Sequence, residues 1–145
     1  MAGIVSYGAY VPLLRIDRKT ISSAIGWLGT APRLPGEKAV ANHDEDSLTL
    51  AVAAAADCLK GLDRSSVDQI LFASTTSPYR ERQGAVMAAT ALDLRPDVRA
   101  ADFANSVKAG TTALLAAFDA VKAGSAKNVL ACASDCRQGK AGGAQ

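Results

Sequence analysis

Apolar runs and segments of helical spacing alternate along most of the chain, and this alternation predicts its secondary structure. Residues 3–11 (GIVSYGAYV) are rich in β-branched and aromatic side chains and are followed by Pro12, so a strand is predicted. Asp17 stands at a helix N-cap position, and a short amphipathic helix is predicted after it, with apolar positions at Ile21, Ile25 and Leu28. Residues 29–46 contain two Pro and two Gly without periodicity, which predicts a long loop.

The clearest helical segment spans residues 47–60. Its apolar face is preceded by the acidic run 44–46, which places negative charge at the positive end of the helix dipole, and Gly61 ends it. That face consists of Leu48, Val52, Ala55 and Leu59. The remaining elements alternate: strands at 67–75, 98–103 and 128–133, and helices at 83–93 and 109–123. This order predicts an α/β fold with a mainly parallel sheet and right-handed crossovers.

Composition narrows the class of protein. The chain has 145 residues, the size of one domain, and it is unusually rich in small side chains, with 30 Ala and 12 Gly. A net charge of +2 gives no electrostatic footprint for a nucleic acid. No apolar run is long enough to span a bilayer and the first residues do not resemble a signal peptide, so a soluble, cytoplasmic protein is expected. Three cysteines are an odd number, which favours reduced thiols.

The common phosphate-binding and metal-binding patterns are missing from the sequence. Neither G-x-G-x-x-G nor G-x-x-x-x-G-K-S/T occurs, so a flavodoxin-like nucleotide binder ranks last among the functional hypotheses. His43 is the one histidine and is interpreted as a loop residue beside three acids, and no metal site or bound cofactor is expected. Cys58, Cys132 and Cys136 are interpreted as small buried hydrophobic residues, and residues 80–82 as a solvated charge run.

Residues 101–114 (ADFANSVKAGTTAL) run from a predicted strand directly into a predicted helix, a junction that favours a thiolate or a developing anion. Here the chain resembles the thiolase superfamily, in particular 3-hydroxy-3-methylglutaryl-CoA synthase and the ketoacyl synthase III group. The order and spacing of other segments add to the resemblance: 3–8 (GIVSYG), 37–40 (EKAV), 44–46 (DED), 77–79 (SPY) and 133–135 (ASD).

The resemblance implies a fold of two similar halves, of which this chain supplies the first, a βαβαβα half-fold with helices on both faces of the sheet that stops short of its last strand. It also implies a cysteine nucleophile at position 107 and an acid/base glutamate at position 75, or at 76 if the alignment shifts by one. This sequence has Val107, Thr75 and Thr76 there, and none of them supports that chemistry. The family's substrate-positioning histidine comes from the other half, and His43 does not replace it.

Three further residues of the junction are candidates for the site. Ser106 is a weak candidate for a replacement nucleophile because no adjacent base is evident, and the simpler interpretation is a helix cap or a bond to neighbouring backbone. Asn105 and Lys108 are candidates for contact with a coenzyme A thioester, although Lys108 is also compatible with a solvated position.

Two hypotheses of function follow. The first is an acyl-CoA-binding, hydroxymethylglutaryl-CoA synthase-like protein that carries out acyl transfer or aldol-type carbon–carbon bond chemistry without a cysteine nucleophile. The second is a non-catalytic structural subunit of a complex with a thiolase-like or OB-fold protein. Acyl-CoA and either a second copy of the chain or such a protein are the expected partners; the chain alone is expected to be inactive.

Overall fold

The computed structural model describes residues 2–25, 35–104 and 106–138, which form five strands, four α-helices and a short 3-10 helix at Arg64–Ser66. In chain order the strands and α-helices are β1 (Leu14–Asp17), α1 (Arg18–Ile25), β2 (Glu37–Val40), α2 (Ser47–Cys58), β3 (Gln69–Ala73), α3 (Gly84–Ala91), β4 (Arg99–Phe103), α4 (Ala109–Lys122) and β5 (Val129–Ala133). The predicted α/β class is confirmed, and the alternating strands and helices from residue 47 onward match the predicted ones to within a few residues.

The centre of the fold is a parallel sheet of three strands in the order β4-β3-β5. Gln69 at the start of β3 pairs with Arg99 of β4 and with Val129 of β5, so all three strands begin at the same edge. Their carboxyl ends therefore meet at the opposite edge, which is where parallel α/β sheets place ligands.

Helices cover both faces of this sheet because β3 is apolar on both. Ile70 and Phe72 point to one face, where α2 and α3 pack, whereas Leu71 and Ala73 point to the other, where α4 packs. All four side chains are at most 2% exposed. Many of the contacting helix residues are alanine, so the helices lie close to the sheet, as the composition predicts.

The ends of the long helices match their sequence signals. The Asp46 carboxylate accepts a hydrogen bond from the Thr49 N–H, and the Thr49 hydroxyl accepts one from the Asp46 N–H, which makes a reciprocal cap on α2. Gly124 follows α4 with a φ of +72°, a conformation that glycine adopts without strain. At α1, the Asp17 carboxylate accepts from the Lys19 N–H at 2.6 Å, as the predicted cap requires.

Two predictions about the first 46 residues are wrong. Residues 3–11 do not form a strand, because their polar contacts are with α2 and the loop before it. The Ser6 hydroxyl donates to the Cys58 carbonyl at 2.7 Å, the Ala9 N–H donates to the Asp57 carboxylate at 3.3 Å, and the Tyr10 hydroxyl donates to the Glu45 carboxylate. Within the predicted loop 29–46, β2 forms a strand by pairing antiparallel with β1. This pairing joins segments that are distant in sequence, and local composition does not show it. Leu28 lies outside the described residues.

No helix in the described part of the chain has the length and apolar character needed to cross a bilayer.

Candidate functional site

A cavity of about 250 Å³ opens where the carboxyl ends of β3 and β5 meet the amino end of α4. Its floor is made of small apolar residues and its rim is polar. The lining residues are Ala73, Ser74, Thr75, Ser106, Val107, Ala109, Gly110, Ala133, Ser134 and Asp135. Three residues that the sequence selected, Thr75, Ser106 and Val107, are thus brought to one cavity.

Val107 presents its side chain to this cavity and to solvent rather than to the core. It is 83% exposed, an unusual position for an isopropyl group. It lies one residue before Lys108, the N-cap of α4, and the first N–H groups of a helix have no intrahelical acceptor. A group bound here would therefore lie near electropositive backbone N–H groups and beside a side chain that has no reactive atom.

Ser106 is engaged with neighbouring backbone. Its hydroxyl accepts a hydrogen bond of 3.1 Å from the Lys108 N–H, and its carbonyl accepts one of 2.9 Å from the Ala109 N–H. No acid or base of the described residues is hydrogen-bonded to its hydroxyl, so nothing there would activate it as a nucleophile. The interpretation of Ser106 as a residue that bonds neighbouring backbone is confirmed.

The wall opposite α4 is held by Asp135. Its Oδ1 accepts a hydrogen bond of 2.7 Å from the Thr75 N–H and one of 3.3 Å from the Ser74 hydroxyl. Burial opposes the ionisation of Asp135, but the hydrogen bonds from Thr75 and Ser74 and the charge of Arg137 outweigh it and hold the pKa of the carboxyl below its usual range. Asp135 is therefore a carboxylate at neutral pH.

A second set of hydrogen bonds fixes the same two loops beside the cavity. The Thr76 hydroxyl accepts from the Cys136 N–H at 2.8 Å, and the Thr76 carbonyl accepts from the hydroxyl of Ser47, the first residue of α2, at 2.8 Å. The Thr76 N–H donates to the Ser74 hydroxyl at 3.1 Å. The loop after β3 is therefore tied to the loop after β5 and to α2.

Close approach of α4 to β5 sets the width of the cavity. A Cβ placed on Gly110 would lie 3.1 Å from the Cβ of Ala133, which is already tighter than ordinary van der Waals contact. Small residues at both positions let the amino end of α4 reach the sheet edge. The Ala and Gly content of the sequence thus has a direct effect on the geometry of the site.

Other residues selected from the sequence lie elsewhere. Lys108 is exposed and is not part of the cavity lining, and Asn105 lies outside the described residues. His43 is exposed in a turn, with its Nδ1 3.1 Å from the Asn42 Oδ1. Within the described ranges, no three His, Cys, Asp or Glu side chains gather in a way that would hold a metal ion.

The cysteines do not line the cavity either. Cys132 packs in the core between the sheet and α2, and its burial raises the pKa of its thiol to about 12. Cys58 packs against the same core and is half-buried, and Cys136 is half-buried in the loop after β5. Cys132 therefore matches the interpretation of a small buried hydrophobic residue, whereas Cys58 and Cys136 do not, because both are only half-buried.

Sequence reasoning did not select Ser74, Ser134 or Asp135 as site residues, although the last two lie in a segment that supports the resemblance; the three complete the polar rim. A signal for them exists: each follows a strand of the parallel sheet, at the edge where such sheets bind ligands. Polar residues just after the strands of a parallel sheet therefore indicate a candidate site by their position.

Comparison with known proteins shows close relatives over nearly the whole chain. The hydroxymethylglutaryl-CoA synthase of Pyrococcus horikoshii is 40% identical over 142 residues, which is 97% of this chain and 40% of that protein. The hydroxymethylglutaryl-CoA synthase of Methanocaldococcus jannaschii is 36% identical over 151 residues, covering 99% of this chain and 43% of that protein. The chain thus spans about two fifths of the length of these curated relatives. No protein-family model matches it.

Solved structures give the same picture. The β-ketoacyl-[acyl carrier protein] synthase III of Thermus thermophilus superposes with a TM-score of 0.77 at 27% identity, over 91% of this chain and 42% of that one. MvaS in complex with 3-hydroxy-3-methylglutaryl coenzyme A superposes with a TM-score of 0.71 at 25% identity, over 85% of this chain and 31% of that one. This chain is therefore a thiolase-like protein that is homologous to hydroxymethylglutaryl-CoA synthases over about two fifths of their length.

Proposed function

We propose that the chain forms the acyl-CoA-binding part of a hydroxymethylglutaryl-CoA synthase-like protein that handles its thioester without a cysteine nucleophile. The observation that carries this proposal is Val107: it lines the cavity at the amino end of α4, where the resemblance calls for cysteine, and its side chain is exposed. A valine offers neither a lone pair nor a proton. The cavity therefore binds the thioester non-covalently.

The backbone would supply the chemistry that remains. The amino end of α4 favours negative charge, so a thioester oxygen directed toward it is polarised and an enolate or oxyanion is stabilised. The apolar floor of Ala73, Ala109 and Ala133 suits a short acyl group. These features support aldol-type carbon–carbon bond making or breaking, or acyl transfer to a second substrate. The solved relative in complex with 3-hydroxy-3-methylglutaryl coenzyme A supports the choice of ligand class.

The test uses the natural protein that contains this sequence and radiolabelled acetyl-CoA. We expect saturable binding under native conditions and no radioactivity on the polypeptide after denaturation and peptide mapping. Label that survives denaturation on residues 105–108 would contradict the non-covalent proposal. Absence of any saturable binding would contradict acyl-CoA recognition itself.

A second candidate function is a structural subunit, and exposed apolar side chains favour it. Leu114 and Leu115 on α4, and Ile4, Val5 and Tyr7 in the first segment, are 41% to 88% exposed. Ile4, Val5, Tyr7 and Leu114 line one cavity, and contiguous apolar surface of this kind is typical of a surface covered by a partner. In this case an active thiolase-like chain or an OB-fold protein would be the partner, and this chain would hold it in place.

Comparing the purified protein with the complex isolated from its native source separates the two candidates. Turnover of an acyl-CoA by the protein alone would exclude the purely structural role. If turnover requires the complex and survives replacement of cavity residues of this chain, the structural role is supported.

A further inference from the structure

Asp135 is the one residue with an ionisable side chain among the described residues that line the cavity. Every other lining residue is Gly, Ala, Val, Ser or Thr, and none of these side chains takes up a proton at neutral pH. In aldol-type chemistry, a thioester must lose a proton from the carbon beside its carbonyl group. Within the described lining, the Asp135 carboxylate is therefore the one group that can accept that proton.

This carboxylate is fixed through one oxygen and open at the other. Its Oδ1 accepts both the Thr75 N–H at 2.7 Å and the Ser74 hydroxyl at 3.3 Å, whereas no hydrogen bond within the described residues ends on Oδ2. Oδ2 lies 4.0 Å from a guanidinium nitrogen of Arg137, whose side chain is more than half exposed, so solvent screens the pair. Oδ2 is thus held in place with lone pairs that are free to accept a proton.

The amino end of α4 lies across the cavity from Asp135. It favours negative charge, and Lys108, its exposed N-cap residue, adds a positive charge outside the lining. A cavity of about 250 Å³, treated as a sphere, is only roughly 8 Å across, so one small acyl group is within reach of both sides. A thioester whose oxygen points to α4 therefore has its α-carbon on the side of Asp135.

The ionisation state of Asp135 suits the removal of a proton. Burial opposes ionisation, but the hydrogen bonds from Thr75 and Ser74 outweigh it and keep the pKa of Asp135 below its usual range. The carboxylate is then unprotonated throughout the neutral pH range. A lowered pKa also makes it a weaker base, and stabilisation of the enolate oxygen by the amino end of α4 offsets this deficit.

We propose that Asp135 is the general base of the site: its Oδ2 removes a proton from the α-carbon of a bound acyl-CoA. The C–H bond breaks and its electron pair forms the C=C bond of an enolate, while the π electrons of the C=O bond move to the thioester oxygen at the amino end of α4. When the enolate reverts, the protonated carboxyl group returns that proton, or one exchanged with solvent. The inference rests on the proposed function, because it requires an acyl thioester in this cavity, and it adds the residue that makes the α-carbon nucleophilic.

Hydrogen exchange at acetyl-CoA isolates this step, because it needs no second substrate. The natural protein that contains this sequence is incubated with acetyl-CoA in D₂O, and mass spectrometry follows deuterium in the acetyl group, with the rate in buffer alone subtracted. The dissociation constant of acetyl-CoA is measured for the same proteins by equilibrium dialysis. Asp135→Asn is compared with Asp119→Asn, which removes a charge from an exposed position of α4 outside the lining.

We expect the unmodified protein and Asp119→Asn to exchange the acetyl protons, and Asp135→Asn to lose at least about a hundredfold in rate while its dissociation constant changes less than about threefold. Exchange that survives Asp135→Asn overturns the inference, and so does an unmodified protein that binds acetyl-CoA without exchange; both results leave the proposed function standing. An unmodified protein that does not bind acetyl-CoA overturns the proposed function itself.

If Asp135→Asn fails to fold or to bind acetyl-CoA, the pH profile of the unmodified protein decides. A carboxylate base with a lowered pKa is unprotonated from about pH 5 to about pH 7.5, and Arg137 and Lys108 stay charged there. An exchange rate at saturating acetyl-CoA that is level over this range supports the inference. A rate that falls as the pH is lowered within this range overturns it, because a histidine or another group outside the described lining would then be the base.

Discussion

The carboxylate of Asp135 accepts a 2.7 Å hydrogen bond from the backbone N–H of Thr75, a residue 60 positions earlier in the chain. This bond joins the loops that follow β3 and β5 and forms one wall of the cavity. Position 75 is where the resemblance places an acid/base glutamate. In this chain Thr75 donates its backbone N–H to the Asp135 carboxylate. It therefore helps to hold the cavity wall, although its own side chain is not an acid or a base.

Asp135 should contribute stability that depends on pH. Its hydrogen bonds lower its pKa in the folded protein below the unfolded value. The contribution is then complete above the unfolded pKa, near 4, and is lost as pH falls through the lower folded pKa. We expect Asp135→Asn to lower the urea midpoint at pH 7 and to have a smaller effect at pH 3.

The control for this measurement is Asp119→Asn, which changes an exposed aspartate on α4 that forms no side-chain hydrogen bond among the described residues. It should leave the urea midpoint nearly unchanged at both pH values. An effect of Asp135→Asn that is the same at pH 7 and pH 3 would show that its carboxylate is not the source of the stability.

Gly84→Ala should destabilise the fold although alanine favours helices. A Cβ at Gly84, the first residue of α3, would lie 2.6 Å from Cδ1 and 2.7 Å from Cε1 of Phe72, a ring that is 1% exposed in the core. The ring cannot move without disturbing the core, so we expect a loss of about 1–3 kcal/mol in the free energy of unfolding. Gly3→Ala, where no atom lies within 4 Å, is the matched control and should be neutral.

Asp102→Ala should weaken the start of α3. The two oxygens of Asp102 accept hydrogen bonds of 2.6 Å and 2.7 Å from the N–H groups of Gly84 and Ala85, so this β4 side chain caps the helix in the absence of a cap from Gln83. Loss of a cap typically costs about 1 kcal/mol. Asp97→Ala removes a charge pair with Arg95 at an exposed position and should cost less, as urea denaturation can measure.

Local sequence signals were sufficient for most of the sheet and its helices. The apolar run 70–73 and the helical spacing of 47–60 each depend on neighbours within one or two turns, and the structure confirms them. The first segment shows the limit of such signals: its β-branched residues favour a strand, yet its hydrogen bonds go to Cys58 and Asp57. A strand requires a partner edge, and propensity does not supply one.

The candidate site shows the same limit. The resemblance led to positions 75, 106 and 107, and the structure brings all three to one cavity. Asp135 was noticed only as part of a supporting segment, because its importance arises from Thr75, 60 residues away. Contacts of this kind depend on the pairing of β3 with β5, which single-sequence reasoning predicts only in outline.

Cys132 should be unreactive in the folded protein. Its thiol is buried and has a pKa of about 12, so almost no thiolate exists at pH 8. We expect iodoacetamide at pH 8 to modify Cys58 and Cys136, both half-buried, at least about tenfold faster than Cys132, as site-resolved mass spectrometry can measure. In 8 M urea the three rates should become similar. Rapid modification of Cys132 in the native protein would contradict its place in the core.

Val107→Cys should produce a thiol with a lowered pKa. A thiolate at this position lies near the amino end of α4 and is exposed to water, and both conditions favour the charged form. Lys108 adds to the stabilisation of the thiolate, whereas Asp135 opposes it.

Leu115→Cys is the matched control, since Leu115 is 60% exposed in the middle of the same helix, away from its ends. We expect the alkylation rate at position 107 to reach half its maximum about 1 pH unit below that at position 115, and Asp135→Asn to widen the difference. Equal midpoints at the two positions would show that the amino end of α4 does not stabilise an anion in the cavity, which would remove the physical basis for thioester polarisation there.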